Sequence, residues 1–285
     1  IYNVRGITPI FNVNRQLNLK LRTPSDVDTM VANTSDKCAF ACHIVKNGKE
    51  DKKSYYNLAK TLGVTTRINV VAQATAALMD TATESRKSAN QYRMAVYTFG
   101  EKAEDTKLLE VVQSTTDLKN AKKEAGKIEL MSIPYQGYDN DQQTDFDRAF
   151  TQIADKMGTA GSGLTANSPE KILFFVSDGV GDSYKPTDCT KKLTGGRCQE
   201  PIDVKYCKGL KDKGYKIAVL YTTYLPLPTN GWYNDWIKPF QSEIPTTMKQ
   251  CASSGLFFEV SPTEGISDAM NRLFLKIVNT PRLTG

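Results

Sequence analysis

Apolar positions along this chain alternate between two rhythms, short continuous runs and helical stripes. Ile172 to Val176 is apolar at every position and stops at Ser177, Asp178 and Gly179. An uninterrupted run closed by a turn signal predicts a strand buried on both faces, as in the middle of a parallel sheet. Tyr215 to Thr222 and Leu256 to Val260 read the same way, and Leu17 to Leu21 supplies a first strand. Gln91 to Phe99 alternates, is rich in β-formers and ends at Gly100, which predicts another strand. Lys107 to Val112 reads as a shorter edge strand.

Helical stripes fill the gaps. Ile68, Val71, Ala72, Leu78 and Met79 predict a helix over 67–83. Phe146, Phe150, Ile153 and Met157 predict another, with Thr144 at its N-cap position. The segment 117–127 reads as a lysine-rich, largely exposed helix. The segment 201–213 has Pro201 in its first turn and Gly214 just past its end. Ile266, Met270, Leu273, Phe274 and Ile277 give a final helix. Strands alternating with helices predict an α/β fold: a doubly wound, mostly parallel sheet of about six strands, flanked by helices on both faces. The Leu17, Tyr215 and Ile172 segments should be central.

No internal repeat or low-complexity linker interrupts the chain, so residues 1–285 read as one domain with three insertions. They are a cysteine-bearing irregular insert at 22–60, a cysteine-closed excursion at 183–199, and an aromatic loop at 224–240. The last two follow strands and should crowd the rim formed by the strands' carboxyl ends. Trp232, Tyr233 and Trp236 are candidate binding residues there, since exposed Trp and Tyr suit recognition. Alternatively, they pack the loop onto its own domain.

Ligands of open α/β sheets sit beyond the carboxyl ends of the strands. Asp178 is placed to meet one, although an Asp after a strand also serves as a simple cap. The Thr144 hydroxyl, at a loop-to-helix junction, can converge with Asp178 on a hard cation such as magnesium, which prefers oxygen ligands.

These residues carry a family resemblance. Thr144 and Asp145 opening a helix, then a buried strand ending in Val176 to Gly179, resemble two loops of the metal-ion-dependent adhesion site of von Willebrand factor A domains. The run Cys38-Ala-Phe-Ala-Cys-His43, with Tyr56 to Leu78, resembles the A domains of TadG-like proteins of bacterial tight-adherence (Tad/Flp) pili. The resemblance covers most of the chain, from Leu17 to Val278. It implies a non-enzymatic adhesion or assembly module. Its partners would be pilus subunits or a host or abiotic surface receptor, its compartment extracytoplasmic, and its membrane anchor outside this chain. One feature departs from the family: no Asp-x-Ser-x-Ser occurs between residues 1 and 43. Either the protein has lost that loop or the sequence as given omits residues that the full protein carries; in this sequence the magnesium site is incomplete. Beginning at Ile1, the chain is expected to be a fragment or a processed form.

Composition narrows the alternatives. Net charge is +6, from 37 basic and 31 acidic residues, and no basic stripe interleaves with aromatics, which argues against nucleic acid. No stretch reaches the length of apolar residues needed to span a membrane. Six cysteines suggest disulfides and an oxidising compartment. Cys38 and Cys42 could close a small loop, Cys189 and Cys198 flank a turn-rich excursion, and Cys207 and Cys251 remain, each on a predicted helix before a strand. Other pairings stay open. Cys38 and Cys42 are separated by three residues rather than the two of haem attachment, and His43 is the only histidine, so no haem is expected. A single histidine also disfavours Ser-His or Cys-His hydrolysis. The enzymatic alternative is a metal-dependent phosphohydrolase using Asp178, with Asp182 as its second carboxylate.

Overall fold

In the computed structural model the described residues are 43–50, 55–61, 63, 65–99, 108–135, 144–165, 167–228, 230–261 and 265–279. The first elements are strands β1 (His43–Lys46) and β2 (Lys49–Glu50), then helices α1 (Tyr55–Thr61) and α2 (Arg67–Ser85). Next come β3 (Met94–Thr98), β4 (Leu109–Thr115), α3 (Leu118–Ala125), β5 (Ser132–Ile133) and α4 (Phe146–Met157). Strands β6 (Ile172–Ser177), β7 (Val180–Tyr184), β8 (Leu193–Thr194) and β9 (Arg197–Pro201) follow, then α5 (Val204–Asp212) and β10 (Lys216–Thr222). The chain closes with a π-helical turn (Tyr233–Ile237), a 3-10 segment (Lys238–Glu243), α6 (Ile244–Cys251), β11 (Phe257–Val260) and α7 (Ile266–Val278).

Strand β10 lies between β6 and β11, parallel to both. Its side chains alternate between two apolar layers, as the pleat requires. Ile217, Val219 and Tyr221 join Phe146 and Phe150 of α4, Leu210 of α5, and Ile244 and Met248 of α6. On the other face Leu220 meets Leu78 and Met79 of α2 and Met270 and Phe274 of α7. Ala218 meets Leu273 and Ile277 of α7. Helices therefore cover both faces of this sheet, and none of these five β10 side chains is more than 2% exposed. Burial of each large one contributes about 1.5–3 kcal/mol, which is why β10 reads as a continuous apolar run.

Small residues set the helix spacing on the second face. Helix α2 buries Ala72, Ala74 and Ala82 beside Leu78 and Met79, and packs against both α3 and α7. On the first face, Phe146, Phe150 and Phe175 meet edge-to-face, with centroids 5.0–5.5 Å apart.

Several expectations need correction. Among the described residues the parallel sheet has three strands rather than about six, and β6 lies at its edge rather than its centre. The other strands form small separate sheets: β2-β1-β5, the antiparallel pair β3-β4, and antiparallel β7-β9-β8. The Leu17 strand falls outside the described residues. The insert at 22–60 is not wholly irregular, since it holds β1, β2 and the start of α1. The 183–199 excursion is partly sheet: its ends lie in β7 and β9, where Ser183 pairs with Cys198 and Tyr184 with Arg197, and β8 pairs with β9 between them. Pro201 ends β9 instead of starting a helix; Asp203 caps α5 by accepting from the Lys205 N–H. Helix α3 is less exposed than expected, as Leu118, Ala121 and Ala125 are buried. Alanines carry little weight in an apolar stripe, yet here they let helices approach closely. No helix among the described residues is long and apolar enough to cross a membrane.

Candidate functional site

Asp178 follows the last residue of β6. The register pairs Ser177 with Tyr221, so Asp178 and Thr222 stand side by side where β6 and β10 end. The Gly179 N–H donates to Ser177 Oγ at 3.0 Å, and the Val180 N–H lies 3.4 Å from Asp178 Oδ1. Gly179 has φ +78°, and a Cβ there would fall 2.5 Å from Ile244 Cγ2 and 2.9 Å from Met248 Cγ. Only glycine fits this turn, for reasons of both dihedral and space.

Burial pushes the Asp178 carboxyl above its ordinary value, while the Arg67 guanidinium and the Val180 N–H oppose it. Arg67 is the first residue of α2, and its Nη2 donates to Thr222 Oγ1 at 3.0 Å. The Tyr224 phenol is pushed up to about 12, first by burial and then by the charges of Asp178 and Asp182. Its backbone N–H lies 3.3 Å from the Tyr221 hydroxyl.

Thr144 is not the helix cap. Asp145 caps α4, its Oδ1 accepting from the Arg148 N–H at 3.0 Å, because a carboxylate complements the helix N-terminus better than a hydroxyl. Thr144 instead forms an isolated bridge with Asp182 through two main-chain bonds of 2.8 and 3.0 Å. It lines a small polar cleft with Asp147, Lys185, Glu200 and Asp203. Among the described residues no hydrogen bond joins Thr144 to Asp178. In the cleft Lys185 Nζ pairs with Asp147 Oδ2 and Glu200 Oε1, both at 2.5 Å. Burial works against the Lys185 charge, but these two hydrogen bonds outweigh it and raise its pKa. The second oxygen of Glu200 accepts from the N–H and Oγ1 of Thr190.

The excursion and the aromatic loop meet at a shared surface. Asp182 takes a two-pronged bond from Arg197 at 2.7 and 2.6 Å, and a third from Gln199 Nε2 at 2.7 Å. The Arg197 guanidinium lies 5.5 Å from the Trp232 ring, and Lys192 Nζ lies 5.0 Å from the Trp236 ring. The two indoles are 5.5 Å apart, and Lys191 bridges to Glu243 at 2.7 Å. Trp232 is 43% exposed, whereas Tyr233 is 4% exposed and stacks on Tyr224. Tyr233 therefore belongs to the core, which removes it from a surface role; Trp232 and Trp236 remain.

Two disulfides tie this region down. Cys189–Cys198 closes the excursion, and Cys207–Cys251 links α5 to α6, with Cα atoms 5.7 and 5.1 Å apart. Cys38 and Cys42 lie outside the described residues. The ligand-type atoms of Cys189, Cys198 and Glu200 lie within 4.8 Å of one another. Both sulfurs are spent in the disulfide and Glu200 already serves Lys185 and Thr190, so this group is a cross-link beside an ion pair.

Among the described residues, the donors at the strand ends do not make up a divalent centre. Thr144 and Asp178 are two ligands, too few to hold magnesium against its own hydration. Asp182 is occupied by Arg197 and Gln199, and Arg67 brings a positive charge to Asp178. The sequence reading missed both arginines. Arg197 left no local signal, but Arg67 did: a cation in the first turn of a helix opposes the helix dipole.

No family model matches this chain, and no curated protein matches it. Similar solved structures include proximal thread matrix protein 1 from mussel byssus, at 11% identity and TM-score 0.44 over 73% of this chain. This chain spans 42% of that protein, another structure of which has a zinc-occupied MIDAS motif. Bacteroides thetaiotaomicron BatB matches at 16% identity and TM-score 0.42, over 75% of this chain and 89% of that one. A membrane-spanning protein from Vibrio fischeri matches at 14% identity and TM-score 0.24, over 85% and 93%. Likenesses at this level leave the functional argument to the residues themselves.

Proposed function

We propose that this chain is a non-enzymatic binding module of von Willebrand factor A type, acting in adhesion or assembly of a Tad/Flp-like pilus. One observation carries the reading: the exposed indole of Trp232 and the half-buried indole of Trp236 are held against Arg197 and Lys192 of a disulfide-closed excursion. Large, rigid aromatic surface fixed in advance is what recognition favours, because little side-chain entropy is lost on binding. The resemblance supplies the pilus context, and two disulfides favour an extracytoplasmic site. Asp182, the second carboxylate that a phosphohydrolase would need, is engaged by Arg197, which favours binding over catalysis.

The test is co-sedimentation of the chain with purified Tad-type pili, set beside Trp232→Ala, Trp236→Ala and the double variant. Association lost in the double variant, with unchanged far-UV circular dichroism, is the expected result. Undiminished association would remove the indoles from the contact, and absence of association by the parent chain would reject the pilus partner.

A further inference from the structure

Lysine–carboxylate pairs at a protein surface stay ion pairs because water solvates both charges. Lys185 is placed differently. It follows the last residue of β7, where its N–H donates to the Gly196 carbonyl at 2.8 Å and Pro186 stiffens the chain beyond it. Its Nζ lies 2.5 Å from Asp147 Oδ2, in the first turn of α4, and 2.5 Å from Glu200 Oε1, on β9. These three side chains are between 9% and 14% exposed, and among the described residues every other ion-paired lysine is more exposed than Lys185. Thr190 holds the second oxygen of Glu200, which keeps the first one on Nζ. With Oδ2 at 2.5 Å, the Asp147 carboxyl carbon stands about 3–3.5 Å from Nζ, the separation of a near-attack pair.

We propose that Lys185 and Asp147 condense to a side-chain amide, a covalent cross-link between the end of β7 and α4, with Glu200 carrying the proton. Burial works against the Lys185 ammonium and its two hydrogen bonds restore it, so the ion pair is the resting form. Burial also pushes the Asp147 carboxyl above its ordinary value. The reacting form arises when Nζ passes one proton to Asp147 along their hydrogen bond, leaving an amine and a carboxylic acid. Nζ then attacks the carboxyl carbon; Glu200 takes a second proton from nitrogen and returns it to the departing hydroxyl. One C–N bond forms, one C–O bond breaks, one water leaves, and Glu200 ends as the carboxylate it began as. The step occurs once per molecule, so a small population of the neutral pair suffices. It removes two of three charges from a site where charge is costly, and the amide N–H can still donate to Glu200.

The bond forms in the chain alone, so pilus binding can fail without touching it. Intact mass of the denatured, fully reduced chain reads it directly. The parent should be lighter than its sequence by one water, about 18 Da, while Lys185→Arg should have its full sequence mass. Tandem spectra of a protease digest should place the loss on a branched peptide joining Asp147 to Lys185. On reducing gels the parent, closed over a separation of 38 residues, should run ahead of Lys185→Arg. Glu200→Gln, with unchanged circular dichroism, should form the bond about a hundred-fold more slowly. A parent that keeps its full sequence mass after days at neutral pH would overturn the proposal. So would a water loss that persists in Lys185→Arg or maps to other residues, and equal rates in parent and Glu200→Gln would overturn the role of Glu200.

Discussion

Replacing Gly179 by alanine tests the turn that places Asp178. The perturbation is one methyl group, and the structure assigns it two separate costs. At φ +78° an L-residue pays about 1–2 kcal/mol for the left-handed conformation. The methyl would also stand 2.5 Å from Ile244 Cγ2 and 2.9 Å from Met248 Cγ. Both neighbours are 0% exposed, so neither can swing into solvent, and overpacking of this kind costs about 1–3 kcal/mol. The expected loss is therefore about 2–5 kcal/mol, a large share of a typical domain's stability. Gly48 provides the control. It has φ +72° in the turn between β1 and β2, with nothing within 4 Å of a Cβ, so alanine there incurs the dihedral cost alone. Urea unfolding should show a lower midpoint for Gly179→Ala than for Gly48→Ala, with unchanged slopes. Equal midpoints would refute the packing argument and the seating of α6 against this turn.

Three further outcomes follow from other parts of the structure. Replacing both Cys207 and Cys251 by alanine should cost about 4 kcal/mol and the Cys189/Cys198 pair about 3 kcal/mol, rising with the logarithm of the loop each closes, read from denaturation midpoints; thiol titration of the unfolded, unreduced chain should find none of these four free. Lys185→Ala leaves Asp147 and Glu200 facing each other at 14% and 9% side-chain exposure, and should cost about 3–5 kcal/mol by urea unfolding. The Tyr224 phenol has a folded pKa raised from 10.0 to about 12, so folding favours its neutral form. That contribution is intact below pH 10 and is lost as pH rises to about 12; Tyr97 is also raised to about 12, so phenolate absorbance should show one fewer late-titrating group in Tyr224→Phe and an earlier one in Asp178→Asn.

Strand β10 was legible because burial on both faces demands an apolar residue at each position from Ile217 to Tyr221; β6 and β11 flank it, only half-buried, and were legible from their short apolar runs. Helix α7 was legible from its single apolar stripe, since Ile266, Met270, Leu273, Phe274 and Ile277 all turn inward. Asp145 was misread in favour of Thr144 because the two residues are adjacent and both are good caps. The β7–β9 pairing was hidden because its strands are short and polar, held by a cross-link and by Asp182, Arg197 and Gln199 rather than by apolar alternation. Tyr233 and Trp232 are neighbours in sequence with opposite fates. Which side of a helical turn faces the core depends on where its neighbours sit, and residue type alone does not encode that.

The cross-link between α5 and α6 has a mechanical meaning. Cys207 and Cys251 are 44 residues apart, and between them lie β10 and the whole Trp232–Trp236 segment. Under a pull applied to the two ends of the chain, tension passes through the sulfur bridge and bypasses everything it encloses. The middle strand of the parallel sheet and the indole surface would then carry no load, even after the flanking helices had given way. About 150 Å of extended backbone is withheld from the unravelled length. A protease nick in the enclosed aromatic loop would likewise leave both fragments covalently joined.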